Sequence, residues 1–392
     1  MYRFHKWLLL ALLTGPAVGC SNSADLPYLE RMDGGIRVLE YTSAIPPLNN
    51  PYVPGDPVTY GENQREDTFL LNGAEFIDRL ESGVVLVNDF RDGKIHRFAS
   101  DGEWLGSFGQ KGPGPHEFGL GYLPYLYNNQ IFAWVGSSQR LLQFDALGEY
   151  LGGRRSEFLT GAPPVPLTSD PQDGFFAYHR RVMSPQSTST TATSYFTLFR
   201  VHQDLVQADT LYHYEREIEG FYTGTMYSYQ PYQPLVQPFA FSTDLPFAFG
   251  RTEHYRIELI PVDGVDTLAI ELPVNSPSIP AEEKQRSIER YSRYGWEEEA
   301  RRHIRFPGRL PAIRWLIWDA EDRLWVEDYQ PVSVHEDGRH YNIFTSEGVW
   351  IASQDLPVRP EAIFSDGYYM NTENEAGEPV VVFVPMEWNP GR

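Results

Sequence analysis

Cysteine is almost absent: Cys20 stands alone among 392 residues, so no disulfide can form within the chain and its stability must come from packing. Positive charge is also scarce. With 32 Lys and Arg against 53 Asp and Glu the formal charge is −21. A surface this acidic repels phosphate backbones and anionic headgroups, which argues against nucleic acid and against polybasic membrane docking. Solubility is the simplest role of the excess acid; a patch for cations or a basic partner is the other. The run Trp7-Leu8-Leu9-Leu10-Ala11-Leu12-Leu13 falls far short of the about 20 apolar residues that cross a bilayer. No serine sits in a Gly-x-Ser-x-Gly elbow, and the ten histidines make no metal pattern on a helix. What the chain has in quantity is core material, 41% hydrophobic and 14% aromatic.

Residues 1–19 read as a secretory signal peptide rather than as part of the fold. Arg3, His5 and Lys6 form a basic start, the Trp7 to Leu13 run a short apolar centre, and Thr14 to Gly19 a small-residue exit. Two processing routes fit. Ala17 and Gly19 satisfy the small-x-small rule of ordinary cleavage, which would release a secreted protein with one unpaired thiol. Alternatively, Gly19-Cys20 resembles the lipobox of bacterial lipoproteins, which implies a lipidated Cys20 as the mature N-terminus. The second is favoured, because a lone exposed thiol is a liability in an oxidising compartment and this one stands only where a lipobox needs it. In the same family reading, Ser21 rather than Asp implies the outer membrane, with the membrane reached only through the lipid. Losing Arg3 and Lys6 with the leader takes the charge from −21 to −23.

The chain is organised around a repeated sheet unit. In the stretch Phe76 to Gly119, Val84-Val85-Leu86-Val87 is followed by the turn Asp92-Gly93, the alternating run Ile95-His96-Arg97-Phe98, the turn Asp101-Gly102 and then Trp104-Leu105-Gly106. An offset of 46 maps Val85-Leu86-Val87 onto Ile131-Phe132-Ala133, Phe98 onto Phe144, Gly102 onto Gly148, and Trp104-Leu105-Gly106 onto Tyr150-Leu151-Gly152. Phe344 to Ile351 repeats the second half again, after Asp322-Arg323-Leu324-Trp325-Val326. Weaker copies bring the count to six, starting near residues 76, 123, 172, 239, 310 and 360. Periods of 40 to 50 residues holding several short strands mean a propeller. The expected fold is therefore all-β: a six-bladed β-propeller of four-stranded antiparallel blades over residues 67–385, with 386–392 as a tail.

Two segments depart from the repeat. Residues 20–66 are expected to be a lipid-anchored tether, too rich in proline from Pro46 to Pro57 for a central strand. Within it, Ile36 to Tyr41 alternates as a strand that would complete the last sheet and lock the ring. Pro280 to Tyr291, with Glu282 and Glu283 in its first turn, predicts a helix running through Trp296 to His303 and lying over one face of the ring.

Gly106 to Phe118 resembles the segment with which NHL-type repeats pass from one blade to the next, and Leu310-Pro311 with Asp322 to Val326 resembles later blades of bacterial six-bladed propeller lipoproteins. That resemblance implies an envelope protein. Two functional classes are expected, with a weaker third, an assembly factor that docks other envelope proteins. The leading one is a binding or scaffold module for an envelope protein, peptide or carbohydrate. The other is a metal-dependent hydrolase or lyase in the central channel, as in gluconolactonase-like and amidating-lyase-like propellers, which needs three or four Glu, Asn, Asp or His side chains converging there.

Candidate sites are few, and no cofactor is specified. Gly112-Pro113-Gly114 lacks the third glycine and the helix of a dinucleotide loop, so it is a connector. His335-Glu336-Asp337-Gly338-Arg339-His340 has metal-ligating residue types, but Asp337-Gly338 is foremost a turn. The tract Phe221 to Pro234 is the most suggestive. Its Tyr222, Tyr227, Tyr229 and Tyr232 cannot all be buried beside so many prolines and polar residues, and exposed tyrosines offer stiff contact area with a hydroxyl handle.

Overall fold

The computed structural model describes residues 27–61, 71–119, 121–155, 165–170, 174–183, 190–202, 207–223, 226–232, 238–242, 245–261, 266–331 and 338–391. The leader, Cys20 and the His335-Glu336-Asp337 turn lie outside the described residues.

The 46-residue offset corresponds to one local geometry made three times. In the first sheet Val85–Asp89, Lys94–Phe98 and Trp104–Phe108 are successive antiparallel strands, and a bulge beside Trp104 shifts the register between Arg97 and Phe98. Gln130–Val135, Arg140–Phe144 and Tyr150–Arg155 repeat this, with the bulge between Gln143 and Phe144. Arg339–Thr345 and Trp350–Leu356 do so again, between Ile343 and Phe344. The turn glycines Gly102, Gly148 and Gly348 have φ of +92°, +87° and +83°. Each is pressed against the preceding sheet: an added Cβ would stand 2.8 Å from Thr59 O, 2.4 Å from the Phe108 ring and 2.9 Å from Leu268 Cδ2, respectively. Glycine is thus required twice over at these turns, by backbone conformation and by space.

Strand periodicity then builds the core. In Val85–Asp89, Leu86 faces one way, into a cluster with Ile131 and Leu142 of the second sheet, while Val85 and Val87 face the other, beside Tyr369 and Val381. Leu141 joins the second sheet to Ala177 and Val201 of the third, and Phe196 and Leu198 meet Phe247 and Phe249 of the fourth. Leu324 and Val326 of the fifth sheet pack on Ile257 and Ile270 of the fourth, whereas Trp325 packs on Ile363 and Tyr368 of the sixth. The Tyr369 cluster returns to the first sheet, where Phe76 stacks on Tyr369 at 4.1 Å and Arg79 reaches Asp366 through two hydrogen bonds. Each sheet is therefore buried between two others in cyclic order, an all-β, propeller-like arrangement.

Strand number differs from the uniform four expected. Among the described residues the six sheets hold four, four, five, six, four and five strands. The N-terminal segment supplies much of the surplus, and it is no free tether from Pro27 onward. Tyr28–Asp33 and Ile36–Tyr41 form a hairpin added to the outer edge of the fourth sheet, in parallel with Leu268–Glu271. Leu48 to Asn50 then pass along the fifth sheet, where Asn49 bridges Ser353 and the Asn50 side chain both accepts from Asp355 N and donates to Asp355 Oδ2. Tyr52–Pro54 and Val58–Tyr60 pair with Pro379–Trp388 at the outer edge of the sixth. So ring closure falls to these short proline-flanked strands, and the Ile36–Tyr41 strand serves the fourth sheet instead of the last. Prolines are tolerated because each strand is an edge. The final strand runs to Trp388, past the expected boundary at 385.

The helical insert also differs. Helix α1 (Ala281–Glu289) and helix α2 (Glu297–His303) are separate, because Gly295 at φ +72° ends the short 3-10 turn Ser292–Tyr294 between them. Ala74 pairs with Asp89 and Ile313 with Asp328, so the start of an innermost strand and the end of the next lie at one face. The insert leaves the ring on that face, before Ile313. Sheet three is extended on the same face, through Gly174–Met183, Thr191–Val201 and Ala208–Thr223.

Candidate functional site

The extension of sheet three and the helical insert meet over the ring. Phe221, buried on Ala208–Thr223, is covered by Ile288 and Tyr291 from one part of the insert and by Ala300 and Ile304 from the other. Gln230 fastens the returning strand: its Oε1 accepts from Arg305 N at 2.7 Å and its Nε2 donates to His303 O at 3.2 Å. With both ends of a buried amide satisfied inside the chain, the junction is a fixed surface rather than a loose loop.

Two clefts flank the ridge Gln230-Pro231-Tyr232. The first, about 710 Å³, lies between sheet three and the segment leading to sheet five, and mixes Arg216, Arg305 and Arg309 with Glu217, Glu219 and Glu253. The second, about 570 Å³, is lined by Tyr227, Tyr229 and Tyr232 from sheet three, by Tyr291 and Tyr294 from the insert and by Tyr329 from sheet five. Arg290 and Arg293 complete its rim, with the guanidinium carbons 5.6 Å from the Tyr291 ring centre and 4.8 Å from that of Tyr294.

Three of the four tyrosines singled out from sequence thus share one wall. Tyr222 stands behind them, its ring 5.2 Å from Tyr227. The tract is not an inter-sheet loop: Ala208–Thr223 and Met226–Tyr229 pair as a hairpin, Tyr222 opposite Tyr227. Tyr227 donates to Thr190 O at 3.0 Å, and Tyr232 donates to Glu283 Oε2 at 2.8 Å. Burial, the largest cause, pushes both hydroxyls up to about 12, so they stay protonated donors across the physiological range. Tyr232 also holds a left-handed backbone at φ +60°, which a bulky residue adopts only when its surroundings impose it.

Arg290, Arg293, Tyr294 and Tyr329 were not among the expected residues. The Arg290-Tyr291-Ser292-Arg293-Tyr294 pattern was readable, but a continuous helix would have spread it around an axis; Gly295 ends the turn and gathers it on one side.

Elsewhere, residues of two other motifs are held by partners within the chain. Glu117 accepts from Gly114 N and Gln110 Nε2, which lowers its pKa and closes the Gly-Pro connector on itself. His340, from the densest histidine cluster, pairs with Asp355 at 2.7 Å. Among the described residues no three His, Cys, Asp or Glu side chains gather as a metal-holding group.

No family model and no curated protein matches the chain. Solved structures similar to it include a putative exported protein from Bacteroides fragilis, at 13% identity over 89% of this chain and 99% of that one, with a TM-score of 0.48. A member of the DUF4221 family from Bacteroides vulgatus is similar at 9% identity over 86% and 97%, with a TM-score of 0.49. A virginiamycin B lyase from Staphylococcus aureus is similar at 10% identity over 84% and 99%, with a TM-score of 0.42.

Proposed function

We propose that the protein is a binding module of the bacterial cell envelope: a six-bladed β-propeller, tethered to the outer membrane by a lipidated Cys20, that presents the tyrosine cleft to a ligand. The cleft carries this reading. Six tyrosines from three parts of the fold converge on about 570 Å³, a size that suits a small-molecule or oligomeric ligand. Tyrosine at a fixed surface supplies contact area at little entropic expense. The cyclic order of the six cores supports six blades, the extra strands being additions to their edges. The basic start, apolar run and Gly19-Cys20 junction support the anchor. Six residues separate Cys20 from Pro27, a reach of at most about 25 Å when extended, so the anchored ring sits close to its membrane. The metal-dependent hydrolase or lyase alternative is favoured by no observation on the described residues.

An array of neutral and charged oligosaccharides and short peptides tests the reading, with the double variant Tyr229→Ala, Tyr294→Ala as the control. Binding that the double variant abolishes supports the cleft; binding that it leaves unchanged places recognition elsewhere.

A further inference from the structure

We propose that the ligand of the tyrosine cleft is an acidic saccharide, its carboxylate held between Arg290 and Arg293 and its ring laid against the tyrosines. The inference rests on the binding reading above and adds the ligand's charge and chemistry. Acids outnumber bases 53 to 32 along the chain, yet none of the residues lining this cleft is Asp or Glu, and two are Arg. Of the carboxylates that act on its tyrosines, Glu283 is buried and held by the Tyr232 hydroxyl, and Glu219 lines the neighbouring cleft.

The two guanidiniums differ from five arginines elsewhere in the ring. Arg79, Arg251, Arg256, Arg323 and Arg339 each lie within hydrogen-bonding distance of a carboxylate. Arg290 instead donates Nε to Ser287 O and lies over Tyr291, while Arg293 lies over Tyr294. Among the described residues no acidic oxygen stands within 4.0 Å of either. An arginine laid over an aromatic ring keeps its planar donors turned outward, the geometry that receives a carboxylate through two parallel hydrogen bonds. The remaining wall is rich in hydroxyl groups, from the tyrosines, Ser228 and Ser287. That array matches a ring bearing several hydroxyls better than a peptide, which offers one donor and one acceptor per backbone unit.

Titration calorimetry with trigalacturonate and with its methyl ester tests this, since esterification removes the charge and keeps the sugar. Trigalacturonate is expected to bind at least tenfold more tightly than the ester, with an affinity that falls as salt rises. Arg290→Gln with Arg293→Gln should abolish the difference, so that the variant binds trigalacturonate no more tightly than it binds the ester. Equal binding of acid and ester overturns the inference while leaving the cleft as the binding site. Binding of neither oligomer, or tighter binding of triglutamate than of trigalacturonate, overturns it as well. The binding reading fails by a separate result, the indifference of ligand capture to Tyr229→Ala with Tyr294→Ala.

Discussion

The belt of residues 27–60 turns on one buried hydroxyl. Tyr41 Oη accepts a hydrogen bond from Trp350 N at 2.6 Å and donates one to Gly348 O at 3.0 Å, so a side chain of the fourth sheet's added strand completes the turn of the fifth. Tyr41→Phe keeps the ring and its perpendicular contact with Trp350, 5.8 Å between centres, and removes only the oxygen. It strands one buried N–H and one buried C=O, at about 1–3 kcal/mol each, so the expected loss is about 2–6 kcal/mol. Tyr28→Phe is the control, because Tyr28 packs on Tyr41 at 5.3 Å without sharing those hydrogen bonds; it should shift stability by less than about 0.5 kcal/mol. Equilibrium urea unfolding followed by tryptophan fluorescence measures both. If Tyr41→Phe unfolds within about 0.5 kcal/mol of wild type, the hydroxyl is not what holds the belt to the fifth sheet.

Gly102→Ala should cost more than Gly83→Ala although their φ angles, +92° and +85°, are alike, because a Cβ at 102 meets Thr59 O at 2.8 Å and one at 83 meets nothing within 4 Å. The shared strain is about 1 kcal/mol and thermal unfolding reads the excess; equal losses would mean that the turn does not press on the neighbouring sheet. His96 is buried, and desolvation lowers its pKa from 6.5 to about 4. The unfolded chain therefore takes up this proton first as pH falls, and His96 costs nothing above pH 6.5 but progressively more down to pH 4. The stability of wild type relative to His96→Gln should fall by about 3 kcal/mol across that window; a pH-independent difference would refute the burial effect. Asp78 and Asp328, raised to about 6 mainly by desolvation, act in the opposite sense below pH 6 and are present in both proteins. Cys20→Ala should move the protein from the membrane to the soluble fraction of its host, and an unchanged distribution would end the lipoprotein reading.

The repeat was legible because its demands are local. A positive-φ glycine, a bulge beside an aromatic residue and period-2 alternation all act within about ten residues, so Gly102, Gly148 and Gly348 announced their turns from sequence spacing alone. Where a strand pairs with a distant part of the chain, nothing local marks its partner. Ile36–Tyr41 alternates equally well whichever edge it joins, and its parallel register with Leu268–Glu271 is decided by contacts more than 220 residues away. The candidate site fell between these cases. Tyr227, Tyr229 and Tyr232 were visible as tyrosines too dense to bury, but Tyr329 reaches the cleft only because sheet five stands beside the insert in the ring.

Burial itself shows why a correct repeat does not determine a surface. Trp104, Tyr150 and Trp350 occupy one position of the unit, each beside the bulge and two residues after the turn glycine, yet they are 48%, 41% and 3% exposed. The difference lies outside the unit. Tyr41 and Leu39 of the N-terminal hairpin share the core that holds Trp350, and the belt continues along the Trp350–Leu356 strand at Asn49 and Asn50. Among the described residues no strand pairs with the outer edges of Trp104–Phe108 or Tyr150–Arg155. A ring of similar sheets is therefore made asymmetric by what its chain lays across it: the belt closes the rim of sheets four to six, while the insert and the extension of sheet three enclose the tyrosine cleft on one face. The cleft is built from the parts that break the repeat, and such parts carry no period from which a sequence alone could place them.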